Sequence, residues 1–115
     1  MAGSPESSKN QLAASQVIRL ADLIRYQEGA VVSRTLVKQP SGNITVFAFD
    51  AGQGLSEHTA KFDALVQILE GQAEITISSK PFELGGGDAI LLPANEPHAV
   101  MARAPFKMLL TMIRS

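Results

Sequence analysis

His58 and His98 are the only imidazoles in a chain of 115 residues that has no Cys. They are therefore the side chains best suited to pass a proton near neutral pH or to donate a lone pair to a transition metal. As a pair they need no metal to be competent, because a neutral ring accepts a proton while a charged one donates it. Taken singly, His98 is equally well read as a turn residue after Pro97 whose ring bonds a loop carbonyl. The absence of Cys removes disulfides, thiolate zinc sites, iron–sulfur clusters and thiol nucleophiles. Gly85-Gly86-Gly87 lacks the Lys of a phosphate loop and leads into a strand, so it reads as a turn. Gly54-Leu55-Ser56 lacks the second Gly of a nucleophile elbow.

Ten Lys and Arg against eleven Asp and Glu give a formal charge of −1, with no basic stripe interleaved with aromatics. Nucleic acid is therefore not an expected partner. Nor is a membrane, since no apolar run approaches the roughly 18 residues that span one. Met1–Ser15 has neither a basic nor an apolar signal region, so a cytoplasmic location is expected. This opening stretch, rich in Ser, Gly, Asn and Gln, is read as a flexible tail of residues 1–15, with one domain over residues 16–115.

The elements that must position the histidines are short. Val17, Leu20, Leu23 and Ile24 recur at helical spacing and predict one short helix over Val17–Tyr26. From there the pattern is strand and break: Val31–Lys38, Ile44–Asp50, Ala64–Glu70, Gln72–Ser78, Pro81–Leu84, Ala89–Leu92, His98–Ala102 and Phe106–Ile113. Gln39–Asn43 reads as a hairpin turn, and Gly71 as another between its flanking strands. Such spacing predicts an all-β barrel or sandwich. Several strands are apolar on both faces, with Phe47 and Phe49 opposing Ile44, Val46 and Ala48, and Leu65 and Leu69 opposing Val66 and Ile68. One barrel interior cannot hold both parities, and Phe106–Ile113 is also apolar throughout. The helix covers part of the surplus. A homodimer joined sheet to sheet, burying about 2,000 Å² or more, is expected to cover the rest, including Leu109 and Ile113. Met108 and Met112 share a face with Phe106 and Leu110; this stripe is either core filling or a soft lining for an apolar ligand.

Around the two histidines the chain resembles the cupin superfamily. Gly87, Pro93 and His98 occupy the Gly, Pro and His of that family's second motif, while His58 and Gly71 occupy the first His and closing Gly of the first. Ser56-Glu57-His58, Phe62-Asp63-Ala64 and Pro93-Ala94-Asn95-Glu96-Pro97-His98 bring it closer to small, stand-alone bacterial cupins of the RmlC-like, conserved-barrel kind. The resemblance implies a double-stranded β-helix, or jelly-roll barrel, from about Val31 onward, with both imidazoles directed into one mouth. It also implies a metal set of three His and one Glu, which this chain depletes. Ala60 and Ala64 stand at the second His and the Glu, Asn95 at the motif Gly, and Ala102 at the motif Asn. A divalent metal (iron, manganese, nickel or zinc) would then be held weakly by His58 and His98, with Asp63 a better third ligand than Glu57, which an extended strand turns away. The implied function is binding of a small molecule at a reduced two-His site, with His58, His98, Asp63 and Met108 around it. A metal-dependent dioxygenase or isomerase, and a ligand-sensing module serving a separate partner, are the alternatives.

Overall fold

The computed structural model describes residues 11–114. Among these are nine strands: β1 (Val31–Gln39), β2 (Gly42–Phe49), β3 (Gly54–His58), β4 (Ala64–Glu70), β5 (Gln72–Ile77), β6 (Lys80–Gly85), β7 (Ala89–Leu92), β8 (His98–Met101) and β9 (Phe106–Ile113). All pair antiparallel, in a five-stranded sheet ordered β1-β2-β9-β4-β7 and a four-stranded sheet ordered β3-β8-β5-β6. The expected all-β jelly roll is therefore the fold.

Strand alternation fills the space between the sheets. Ala73 and Ile75 on β5 are buried, as are Val66 and Ile68 on β4 and Phe106 and Met108 on β9. Phe49 stacks on Phe106 with ring centroids 4.5 Å apart, a contact worth about 1 kcal/mol beyond the area it buries. Phe47 and Phe49 both pack into this interior, while Val46 and Ala48 point out of the barrel into a second cluster with Leu36, Leu109 and Ile24.

The chain's own N-terminal arm completes that second core. Leu12, Leu20 and Leu23 pack against it, and the Leu12 N–H donates to the Leu36 carbonyl at 2.9 Å. Half-buried Glu70 and buried Lys107 hold the arm from the sheet side. Lys107 Nζ donates to the Ala21 carbonyl at 2.7 Å, sits 5.0 Å from the centre of the Tyr26 ring and lies 3.8 Å from Glu70. The Tyr26 hydroxyl donates to Glu70 at 2.7 Å. Burial, reinforced by Glu70, raises its pKa well above the ordinary phenol, so this donor stays protonated.

Several sequence expectations are corrected. The helix over Val17–Tyr26 is a single 3-10 turn, Leu20–Leu23, between extended residues. Val17 is fully exposed and Ile24 buried. So short a segment gains more from laying Leu20, Leu23 and Ile24 on a sheet than from marginal helical bonds. Of the expected tail, residues 1–10 lie outside the described residues, and Leu12 is tied down. β3 was missed because only Leu55 in it is shielded from solvent. Asn43 lies within β2 rather than in the turn.

Gly71 does not close a hairpin. β4 and β5 belong to different sheets, and Gly71 carries the chain between them at φ +82°. A Cβ there would collide with the Pro105 carbonyl and stand 2.7 Å from Phe106 Cβ. Gly71→Ala is expected to destabilise the fold by about 3 kcal/mol, combining left-handed strain with a clash against rigid backbone. Urea unfolding would read this, and a loss below about 1 kcal/mol would contradict the geometry.

Candidate functional site

The site is set by an irregularity in β3. Gly54 pairs with Met101 and Leu55 with Val100, but the next partners are His58 and His98. An unbroken antiparallel ladder would have put Glu57 opposite His98 and turned His58 outward, because side chains alternate. One extra residue between Leu55 and His58 makes a β-bulge that reverses the parity and re-aims His58. The sequence carries no Gly, Pro or Asn at Ser56-Glu57 that announces it.

The two imidazoles are thus direct cross-strand neighbours on the inner face, since His98 is also the partner of Ile77. Their centroids are 4.4 Å apart and their planes 69° from parallel. The His58 Nδ1–H donates to the Ser56 carbonyl at 2.8 Å, and the His98 Nδ1–H donates to the Glu96 carbonyl at 3.1 Å. A carbonyl only accepts, so both Nδ1 atoms carry the proton. Each neutral ring therefore keeps its Nε2 lone pair for a partner. His98 is 6% exposed, whereas His58 is open to solvent.

Burial lowers the His98 pKa below the ordinary imidazole value of 6.5, and the charge of His58 lowers it further against the raising bond to Glu96. Above pH 6.5 this ring is neutral in both folded and unfolded chains and contributes no pH dependence. As pH falls through 6.5 the unfolded chain binds the proton first, so stability is expected to decline until the folded-state value is passed. Urea midpoints between pH 8 and pH 5 should show this component in the wild type and lack it in His98→Ala; equal slopes would contradict it.

Loops 59–63 and 93–97 form the rim. The Asn95 N–H donates to the Ala60 carbonyl at 2.7 Å, and the Ala94 N–H to the Asp63 carboxylate at 2.8 Å. The Ser78 hydroxyl donates to Glu96 at 2.5 Å. Asn95 adopts φ +68°, a left-handed conformation that Asn tolerates better than most residues.

Of the residues singled out from the sequence, the fold brings together His58 and His98. Asp63 is instead a rim tie, facing a shallow depression with Lys61, Phe62, Leu91, Ala94 and Ile113. Among the described residues no three His, Asp or Glu side chains are grouped to hold a metal. Neither Glu57 nor Asp63 is grouped with the two imidazoles among the described residues. Met108 is a core residue, buried between Phe47 and Ile68. A groove of about 590 Å³ lies elsewhere, bounded by Glu74, Thr76, Ala99, Met101 and Arg103 on the second sheet. The Arg103–Glu74 ion pair of 3.0 Å stands at its rim.

Two antiparallel sheets closed face to face, with paired histidines beside the crossover loops, define a double-stranded β-helix of the cupin type. The chain belongs to the cupin family, whose Cupin domain model matches residues 45–113. A conserved protein of unknown function from Streptococcus pyogenes is similar at 36% identity and a TM-score of 0.85, over 90% of this chain and 91% of that one. A cupin 2 conserved barrel domain protein from Leptotrichia buccalis is similar at 41% identity and 0.82, over 84% of this chain but only 47% of its own. A cupin superfamily protein from Desulfitobacterium hafniense is similar at 32% identity and 0.85, over 90% and 95%. Curated protein sequences give no match. No helix among the described residues is long and apolar enough to cross a membrane.

Proposed function

We propose that this cupin binds a small molecule at the loop-bearing end of its barrel, acting in the cytoplasm, with the His58–His98 pair as the polar contact. The observation that carries this is the bulge-set pairing of two rings whose Nδ1 atoms are both committed to backbone carbonyls, leaving both Nε2 lone pairs available. Fixing the tautomer through the far nitrogen is how proteins prepare an imidazole as an acceptor or ligand. A firmly held metal does not fit the donors present, because two imidazoles supply half of an ordinary ligand set and alanines replace the others. Any divalent metal is then exchangeable and completed by solvent or ligand.

The metal-dependent enzyme is the second reading, and the same pair of rings favours it. Elemental analysis of protein purified without chelator or a nickel column separates the two. Sub-stoichiometric metal supports the binder; iron, manganese, nickel or zinc at one per chain overturns it in favour of the enzyme.

We also propose a homodimer. The arm covers the β1–β2–β9 half of the first sheet, but Leu65, Leu91 and Ile113 remain 37%, 53% and 65% exposed. Leu65 and Leu91 are direct cross-strand partners at that sheet's β7 edge, an arrangement soluble proteins ordinarily cover or charge. Light scattering at micromolar concentration is expected to give twice the 12.2 kDa chain mass, and Leu91→Glu to return it to one. A wild-type monomer would dispose of the proposal.

A further inference from the structure

Among the described residues, Asn43 Oδ1 is the single buried side-chain nitrogen or oxygen without a hydrogen-bond partner. β2 sends Thr45, Phe47 and Phe49 into the barrel and Ile44, Val46 and Ala48 to the outer core. Asn43 therefore belongs to the inner row, where its Nδ2 donates to Thr45 Oγ1 at 3.4 Å. Its level along the barrel follows from register: Asn43 pairs with Met112, Met112 with Ala64, and Ala64 with Leu92. Ala64 begins the strand after His58, and Leu92 ends the strand before His98. Asn43 thus sits at the histidine end of the barrel, on the opposite sheet.

Resting on the two-His reading above, we infer that Asn43 is a second polar contact of the same site, and that the ligand is a small hydrogen-bond donor, an alcohol or amine with an apolar body. Three acceptors then face this end: His58 Nε2, His98 Nε2 and Asn43 Oδ1. The surfaces between them are Ala64, Leu92 and Met112. None of the inward residues in the Asn43 and Thr45 rows from β2 to β7 is Lys or Arg, and Lys38, the β1 partner of Asn43, is exposed to solvent. A carboxylate would find acceptors in place of donors, whereas a hydroxyl or ammonium group matches them, because a buried acceptor is costly to leave unmade.

The probes are 1,2-hexanediol, hexylamine and hexanoate, which share a six-carbon body and differ in the head group. Titrations at pH 8 would follow the Asn43 side-chain amide and the histidine ring nitrogens by NMR. The expected result is that the diol, the amine or both shift Asn43 and the rings together, and that hexanoate binds at least tenfold more weakly. Asn43→Leu should weaken the donor probe at least tenfold, and Asn43→Asp, which keeps acceptor oxygens, should retain it. If Asn43→Leu does not fold, Asn43→Ser, too short to reach, takes its place. Ring shifts without an Asn43 response, or undiminished binding by the variant, would overturn the inference while leaving the two-His reading intact. A response at neither place, from any probe, would sink both. A preference for hexanoate would refute the donor assignment alone.

Discussion

The double change His58→Ala, His98→Ala is expected to abolish binding at the barrel mouth while leaving a folded protein. His58 is exposed, and its ring pairs with His98 and bonds the Ser56 carbonyl of its own strand, so its loss removes little packing. His98 is buried, and truncating it leaves the Glu96 carbonyl without its bond at a cost of about 1–2 kcal/mol. That is small against a fold with two hydrophobic cores. The loss in binding should be far larger, because both lone pairs go at once and, among the described residues, no third His, Asp or Glu is grouped with them. Calorimetric titration and thermal shift with divalent metals, 1,2-hexanediol and hexylamine, on wild type and double variant in parallel, check this. Wild-type binding of any of these should fall at least 100-fold, and chelator should leave the wild-type unfolding midpoint unmoved. Equal binding by the two proteins would make both histidines ordinary structural residues.

The family and the barrel are legible in the sequence because their signals are local. Gln72–Ile77 alternates strictly and its Ala73 and Ile75 are buried as the alternation requires; turns break the chain at the right intervals; and His58, Gly71, Gly87, Pro93 and His98 hold their spacing. What escaped depends on pairing between distant segments. The bulge before His58 is a mismatch between β3 and β8, invisible in either strand alone. Two flanking strands and a Gly read as a hairpin at Gly71 because the sequence does not say that β4 and β5 part into different sheets; the collision with Phe106, 35 residues later in the chain, forces that glycine. Asp63 was attractive as a ligand because a carboxylate beside a motif position looks chemical. The Ala94 N–H that engages it lies 31 residues away. Asn43 sat in what read as a turn, and the register that carries it to the histidine end is again long-range.

The same limit applies to the two-sided strands, and it leads to the largest expected effect on stability. The surplus apolar parity needs a cover, and over β1, β2 and β9 that cover is the chain's own arm. Leu36, Val46 and Ala48 are essentially inaccessible and Leu109 is 8% exposed, all on the face where Leu12, Leu20, Leu23 and Ile24 lie. Removing residues 1–24 should therefore strip this face bare. It would also take away the Ala21 carbonyl that Lys107 Nζ engages, leaving this buried ammonium to Glu70 and Tyr26. Four aliphatic side chains, mostly part-buried, contribute about 1–2 kcal/mol each at the usual transfer value. The truncated chain is expected to lose about 5 kcal/mol, which approaches the whole stability of a domain this size. Ile24→Ala in the full chain should cost about 2–4 kcal/mol by cavity formation, and Val17→Ala, at a fully exposed position of the same arm, less than about 0.5 kcal/mol. Urea unfolding with dye binding to exposed apolar surface measures all three. A truncated chain within 1 kcal/mol of the full one, binding no dye, would mean the arm rests on the sheet without holding it, and the apolar outer face would then need another cover.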